Sequence, residues 1–168
     1  MNTICCTRFN EDTWSQNERW RLTNEYKGTI YNSPVKINEI IPLLSIIYVI
    51  EMNNDINKIM GIGIIKNYLH TEKYYKIYNI GNYNRYTYKS NYRIDVSEFT
   101  KEEVPIIQVL ETLLFKGSKH SKRGHGIQKI PKWILENKAF DFIKFFKKMF
   151  KLHFTLDTEL RNEVENTI

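Results

Sequence analysis

Cysteine is scarce in this chain, and its placement excludes a framework of disulfides. Only Cys5 and Cys6 are present, and neighbouring residues close a disulfide only through a strained ring. Such usage is typical of a reducing, intracellular compartment. The four histidines stand at positions 70, 120, 125 and 153, without the spacing of metal ligands, so we expect neither a metal site nor a cofactor.

Long hydrophobic runs are also missing. The longest, residues 40–50, is interrupted by Pro42 and Ser45 and is far shorter than the ~20 apolar residues of a membrane-spanning helix. The first residues do not form a cationic stretch followed by an apolar block, so no secretory signal is expected. These absences predict an intracellular protein of the cytoplasm or nucleus, without a transmembrane segment.

The balance of charge is positive, with 25 Lys and Arg against 19 Asp and Glu and a formal net charge of +6. Such a surface attracts polyanions such as nucleic acid, anionic lipid or an acidic protein, although ordinary solubility also explains a modest excess. The 168 residues, 42% of them hydrophobic, fit one core. We predict a single globular domain over residues 1–154 and a mobile acidic tail over residues 155–168.

Two β-branched runs predict the centre of a sheet. Residues 45–52 and 59–66 flank a turn rich in Asn and Asp, which is the pattern of a β-hairpin. Gly61 and Gly63 interrupt the second run, and we interpret them as a barrel corner. A dinucleotide-binding loop would need a third glycine where Lys66 stands, so that alternative is excluded.

Helical patterns dominate the second half of the chain. Thr100 and Glu103 resemble a capping box ahead of apolar residues at helical spacing, and a second helix is predicted from about residue 132 to residue 152. Residues 74–95 predict two or three further strands, whereas residues 1–33 predict loops and one short helix. Together these elements predict an α+β fold, a small and mostly antiparallel β-barrel with flanking helices.

A basic segment is the most specific functional feature. Residues 112–135 contain no acidic residue and six Lys or Arg. Within them, residues 117–126 (GSKHSKRGHG) combine flexible glycines, hydroxyl donors and cations, as a phosphate-binding loop requires. The alternative interpretation is a solvated turn that happens to be basic. The predicted nucleic-acid contacts are Lys116, Ser118, Lys119, His120, Ser121, Lys122, Arg123, His125 and Lys129.

A second feature is the density of tyrosine beside cations. Eight of the eleven tyrosines lie between Tyr68 and Tyr92, among six Lys or Arg and a single acid, Glu72. Cations on the backbone and rings under the bases are typical of grooves that bind nucleic acid with little sequence preference. Because side chains alternate along strands, about half of these rings must face a core. The predicted contacts are Tyr83, Asn84, Arg85 and Tyr86.

The three tryptophans, Trp14, Trp20 and Trp133, form the third candidate feature. An aromatic enclosure can stack an extruded or modified base, which predicts a base pocket. The alternative is burial in the core, because tryptophan is large and apolar.

Two rival functions follow from other residues. His120 and His125 could act as an acid–base pair in a metal-independent nuclease or small hydrolase, although we expect a binding protein without chemistry of its own. The Phe- and Lys-rich stretch 138–153 could instead dock on a membrane surface or a protein partner, as a virion or host-interaction protein would.

The order of these features resembles the PUA-like superfamily, the small β-barrels that include the EVE, YTH and ASCH domains. The resemblance covers roughly residues 8–135, and it is carried by Thr13-Trp14, the strand 47–51 (IYVIE), the glycine-broken strand 60–65 (MGIGII) and the basic loop before 127–131 (IQKIP). It implies a β-barrel that reads RNA or modified DNA, often by placing one base in an aromatic-lined pocket.

The amino-acid usage carries a second resemblance. Ile, Asn, Lys and Tyr are heavily used, as in large DNA viruses of protists. That likeness implies a location in the host cytoplasm, a viral factory or the virion.

Overall fold

The computed structural model describes residues 2–166, which form an α+β fold. The strands are β1 (Asn2–Phe9), β2 (Thr29–Ser33), β3 (Ile46–Asn53), β4 (Lys58–Lys66), β5 (Tyr86–Ser90), β6 (Arg93–Asp95) and β7 (Gln128–Lys129). The helices are α1 (Glu11–Thr23), α2 (Glu103–Phe115), α3 (Lys132–Leu135), α4 (Phe142–His153) and α5 (Thr158–Glu165). Short 3₁₀ turns occur at Gly81–Asn84 and Val96–Glu98.

The strands form a five-stranded mixed sheet and a separate two-stranded ribbon. The order in the sheet is β6-β4-β3-β1-β7, and β2 pairs with β5 in the ribbon. β1 runs parallel to β3, whereas the other pairings are antiparallel, including the predicted β3–β4 hairpin. The α+β class is confirmed, but the strands of residues 2–166 do not close into a barrel.

Each face of the sheet buries its own core because side chains alternate along the strands. On one face, α2, α4 and α5 cover a cluster that includes Cys6, Tyr48 and Ile50. On the other face, α1 and the β2–β5 ribbon cover a cluster that includes Cys5 and Val49. With both faces covered, β1 and β3 are buried along almost their whole length.

Gly61 and Gly63 do not mark a barrel corner, which corrects the sequence interpretation. The pairing of β3 with β4 shifts between Glu51 and Met52, so a bulge lies beside Gly61. The two glycines leave room on the ribbon side of the sheet for buried polar side chains, because a Cβ at Gly61 would lie 2.7 Å from the guanidinium of Arg93.

Within the predicted tail, residues 155–168, the structure places helix α5, and residues 167–168 lie outside the described residues. Leu156, Leu160 and Val164 recur every fourth residue and are buried in the helical core. Asp157 caps the helix by accepting a hydrogen bond from the backbone N–H of Leu160 (2.8 Å). The side chain of Asn2 donates to the Val164 carbonyl (3.1 Å), which ties the helix to β1.

The predicted helix from about 132 to 152 is divided into α3 and α4. Asp141 begins α4 by accepting from the N–H of Lys144 (2.9 Å). Phe142, Phe146 and Phe150 are buried against the sheet, whereas Phe140 and Leu152 stay exposed. Within residues 2–166, none of the helices combines the length and the apolar composition that crossing a bilayer requires.

Candidate functional site

A cavity of about 260 Å³ opens where β1 ends and α1 begins. Other parts of the chain complete its wall. They are the end of β2, the β3–β4 turn, Tyr78, the 3₁₀ turn Gly81–Asn84 and the basic loop of residues 117–126. We call it the first cavity. Its lining comprises Thr7, Arg8, Phe9, Asn10, Thr13, Asn32, Pro34, Asn54, Tyr78, Tyr83, Lys122, Gly124, His125 and Gly126.

The start of α1 is fixed by a capping box. The side chain of Asn10 accepts from the N–H of Thr13 (2.8 Å), and the Thr13 hydroxyl accepts from the N–H of Asn10 (3.1 Å). This reciprocal pair satisfies backbone donors that the first helical turn leaves free. One wall of the first cavity is therefore rigid and polar.

The basic loop is pinned over the cavity by two side chains from distant strands and turns. Arg8 Nε donates to the Ser121 carbonyl (2.6 Å), and Arg8 Nη1 donates to Gln128 Oε1 (3.0 Å). Asn54 Nδ2 donates to the Lys122 carbonyl (2.7 Å). These bonds hold Lys122 at the cavity wall.

Two glycines allow the loop to close this tightly. Gly124 has φ +139° and Gly126 has φ +67°, conformations that other residues rarely adopt. A Cβ on Gly124 would lie 2.8 Å from Arg8 Nη1, and one on Gly126 would lie against the Ser33 hydroxyl. These two glycines thus pack against the side chains of Arg8 and Ser33, whereas the sequence predicted a flexible backbone around a phosphate.

A second cavity of about 440 Å³ adjoins the first, because His125 lines both. Its lining comprises Val35, Lys36, Asn38, Ile40, Ile41, His125, Ile127, Gln128 and Lys129. The two linings together contain four fixed cations, Arg8, Lys36, Lys122 and Lys129, and no Asp or Glu. The linings themselves therefore carry positive charge, while Glu11 and Asp55 stand just outside them, beside Asn10 and Asn54.

Tyrosine rings border the first cavity. The ring of Tyr83 is partly exposed and meets the buried Tyr78 edge-on, at 6.3 Å between centroids. Next along the chain, Tyr86 has the guanidinium of Arg85 at 5.3 Å and the ammonium of Lys36 at 5.5 Å from its ring centroid. Lys36 lines the second cavity, whereas the predicted contacts Arg85 and Tyr86 line neither cavity.

Asn84 is not available as a ligand contact, which corrects its predicted role. It is buried, and its side-chain oxygen accepts from the N–H groups of Ile77 and Tyr78 and from Asn32 Nδ2. Its amide group donates to the Tyr78 carbonyl (2.7 Å). With these bonds made, Asn84 shapes the turn that presents Tyr83.

The basic loop divides into a part at the cavities and a part away from them. Lys122 and His125 line the first cavity, and Lys129 lines the second. Ser121 is buried and anchors the loop, since its N–H donates to the Leu114 carbonyl (2.6 Å). Exposed residues that are not in either lining are Lys116, Ser118, Lys119 and Arg123.

The structure does not bring the three tryptophans into one pocket. Trp14 is buried in the core beneath the ribbon, and Trp20 packs against the same core. Trp133 is 42% exposed on α3, with the ammonium of Lys119 at 5.9 Å from its ring. None of them lines the first or second cavity, so a base pocket built from these rings is not formed.

The proposed histidine pair is also not assembled at the cavities. His125 lines both, but His120 lines neither, and its Nδ1 accepts from the N–H of Lys122 (3.2 Å). Among the residues that the structure describes, no group of three or more His, Cys, Asp and Glu could hold a metal ion.

Arg8, Asn54 and Lys36 are cavity residues that sequence reasoning missed. Arg8 and Lys36 are isolated cations outside the basic and tyrosine-rich segments, and Asn54 was assigned only to the hairpin turn. The Asn10–Thr13 capping box, in contrast, is visible as Asn-x-x-Thr ahead of α1. Comparison with family models, with curated proteins and with solved structures finds no match to this chain.

Proposed function

We propose that this protein binds nucleic acid across the first and second cavities. The observation that carries the proposal is the charge of their linings, which contain four fixed cations and no carboxylate. Polyanions are the ligands that such a surface favours, and phosphate contacts supply most of the affinity of nucleic-acid binding.

The lysine and tyrosine side chains of the linings make different contacts in this proposal. Lys36, Lys122 and Lys129 are the proposed phosphate contacts, because they belong to linings that contain no Asp or Glu. Tyr83 offers a partly exposed ring to a base, and stacking of this kind tolerates any sequence. The first cavity, at about 260 Å³, is smaller than the roughly 300–1,000 Å³ of most ligand sites, so it suits one base or one phosphate of a longer nucleic acid.

The resemblance to PUA-like domains gives the proposed class of nucleic acid, although the strands of residues 2–166 do not close into the barrel of those domains. The segment Thr13-Trp14 and the glycine-broken strand belong to elements that adjoin the cavity or pack beneath it. We therefore propose RNA or modified DNA as the ligand class, held by an open sheet and its covering ribbon.

Salt dependence of binding tests the proposal. With fluorescent RNA and DNA oligonucleotides, the logarithm of affinity should fall linearly with the logarithm of salt concentration, because bound phosphates release counterions. Lys122→Ala should reduce the slope by about 1, and Lys36→Ala combined with Lys122→Ala should reduce it by about 2.

Lys101→Ala is the matched control, since Lys101 is exposed ahead of α2 and lines neither cavity. It should leave the slope unchanged. Equal slopes for the wild type and the double variant would remove these cavities from the interface, and absence of binding to every oligonucleotide would refute the proposed function.

A further inference from the structure

The loop between β2 and β3 presents large aliphatic side chains to solvent. In residues 34–45, which we call the aliphatic loop, Ile40 is 75% exposed, Leu43 82% and Leu44 61%. Isolated exposed apolar residues are ordinary, but three within five positions form a patch of the kind that marks an interaction site.

This exposure is not a sign of a loose loop. Ile37 and Ile41 are buried in the core beneath the ribbon. The buried Asn67 donates from Nδ2 to the carbonyls of Ile41 (2.8 Å) and Pro42 (3.3 Å), and its own carbonyl accepts from the N–H of Leu44 (3.0 Å). The tip of the aliphatic loop, residues 40–44, is therefore held in one conformation with its aliphatic side chains outward.

Backbone strain at Leu44 is a second sign that the exposed tip is a functional site. Leu44 has φ +64°, in the left-handed region that a bulky side chain rarely adopts. Strained residues persist where the surrounding contacts over-determine them, and they concentrate at functional sites. Here the contacts from Asn67 hold a strained leucine in solvent, where it gains nothing from burial.

The aliphatic loop adjoins the cations that line the second cavity. Ile40 lines the second cavity together with Lys36 and Lys129, and His125 joins that cavity to the first. Glu39 is the one acid of the loop, and it lines neither cavity. A ligand lying along the cations would thus meet the exposed aliphatic side chains at one end.

We propose that the tip, residues 40–44, is an apolar wedge that enters the base stack of a nucleic-acid duplex bound along the two cavities. This inference rests on the proposed function and names its substrate as double-stranded nucleic acid. Proteins that open a stack insert Leu, Ile or Pro between base steps, and the tip supplies all three. Burial of the leucines offsets the loss of base stacking.

Fluorescence of 2-aminopurine tests the wedge, because this base becomes brighter when it leaves the stack. Duplex DNA and duplex RNA carrying the probe are titrated with the full-length chain, beside the matching single strands. The wild type should brighten at least one duplex at least about twofold. The variant Leu43→Asn with Leu44→Asn should abolish that rise, and asparagine is chosen because it tolerates the left-handed backbone.

The affinity of the same variant separates the wedge from the cations. It should bind the duplex at least about tenfold more weakly but with an unchanged salt slope, since phosphate contacts are intact. Leu22→Asn is the matched control: Leu22 is 72% exposed at the end of α1, and its replacement should change neither brightness nor affinity.

Each remaining outcome overturns the inference. If the wild type binds duplex without brightening it, or the double variant brightens it equally, the wedge is refuted while the proposed function stands. If the double variant loses only binding to anionic vesicles, the tip is a membrane contact and the wedge is likewise refuted. If no oligonucleotide binds, both proposals fail.

Discussion

Gly61 and Gly63 leave room for a buried ion pair on the ribbon side of the sheet. Arg93 Nε and Nη2 donate to the two Glu51 oxygens at 2.9 and 2.7 Å, and the Tyr31 hydroxyl donates to Glu51 Oε1 at 2.8 Å. Burial alone would lower the pKa of Arg93, but the charge and hydrogen bonds of Glu51 raise it, so the guanidinium stays charged. Burial, and then the charge of Glu51, raise the pKa of Tyr31, which remains a neutral donor.

A methyl group at Gly63 should be costly. The Cβ of Gly63→Ala would lie against the Tyr31 hydroxyl and within 2.8 Å of Thr29 Oγ1, in a region with no space to relax. Overpacking of this kind lowers the free energy of unfolding by about 1–3 kcal/mol, measured by urea denaturation. Gly81→Ala is the control, because nothing lies within 4 Å of its Cβ. Equal stability of both variants would contradict this account of Gly63.

Counting charges along the sequence does not predict the local charge where a cation pairs with an acid from a distant part of the chain. Lys66 and Arg93 flank the tyrosine-rich segment, where a single acid was counted. In the structure Arg93 pairs with Glu51 and Lys66 with Glu163 (3.1 Å), so acids from elsewhere neutralise them. The basic loop differs, because neither cavity that its residues line contains a carboxylate.

At the scale of helices and strands, sequence periodicity predicts the elements that have one exposed face or that adjoin a turn with a clear sequence signal. The β3–β4 hairpin and α2 are confirmed. β1 was missed because it is buried on both faces between β3 and β7, so its sequence NTICCTRF shows no alternation. The stripe of Leu156, Leu160 and Val164 was visible in the sequence, but its acidic surroundings favoured a tail.

Helix α5 should contribute measurably to stability. Leu160→Ala removes a side chain that is 6% exposed in the helical core, so it should lower the free energy of unfolding by about 2–5 kcal/mol. Asn162→Ala, on the exposed side of the same helix, should change it by less than about 0.5 kcal/mol. Urea denaturation of both variants distinguishes a packed helix from a mobile tail, for which the two substitutions would be equally neutral.

At the scale of the whole molecule, the candidate site forms where the end of β1 meets three separate turns. The sequence indicated the basic loop and Tyr83, because their signals are local. It did not indicate Arg8 or Lys36, since these residues reach the loop only after β1 pairs with β7 and the aliphatic loop packs beside it. Local composition therefore predicted half of the cationic lining, and the topology supplied the rest.

The adjacent cysteines place one thiol in each of the two cores. Alternation along β1 places Cys5 in the core beneath the ribbon and Cys6 in the core beneath the helices, so the two thiols face opposite sides of the sheet. Burial raises the pKa of both thiols, and each stays protonated and unreactive at neutral pH.

Thiol labelling with mass spectrometry should therefore measure whether the two cores open together. Because β1 is hydrogen-bonded on both edges, exposing either thiol requires the sheet itself to separate. We expect native protein to carry no label, and mixtures in urea to contain only unlabelled and doubly labelled chains, in proportion to the unfolded fraction. A singly labelled species with only Cys5 modified would instead show that the α1 and ribbon layer opens while the helical layer stays packed.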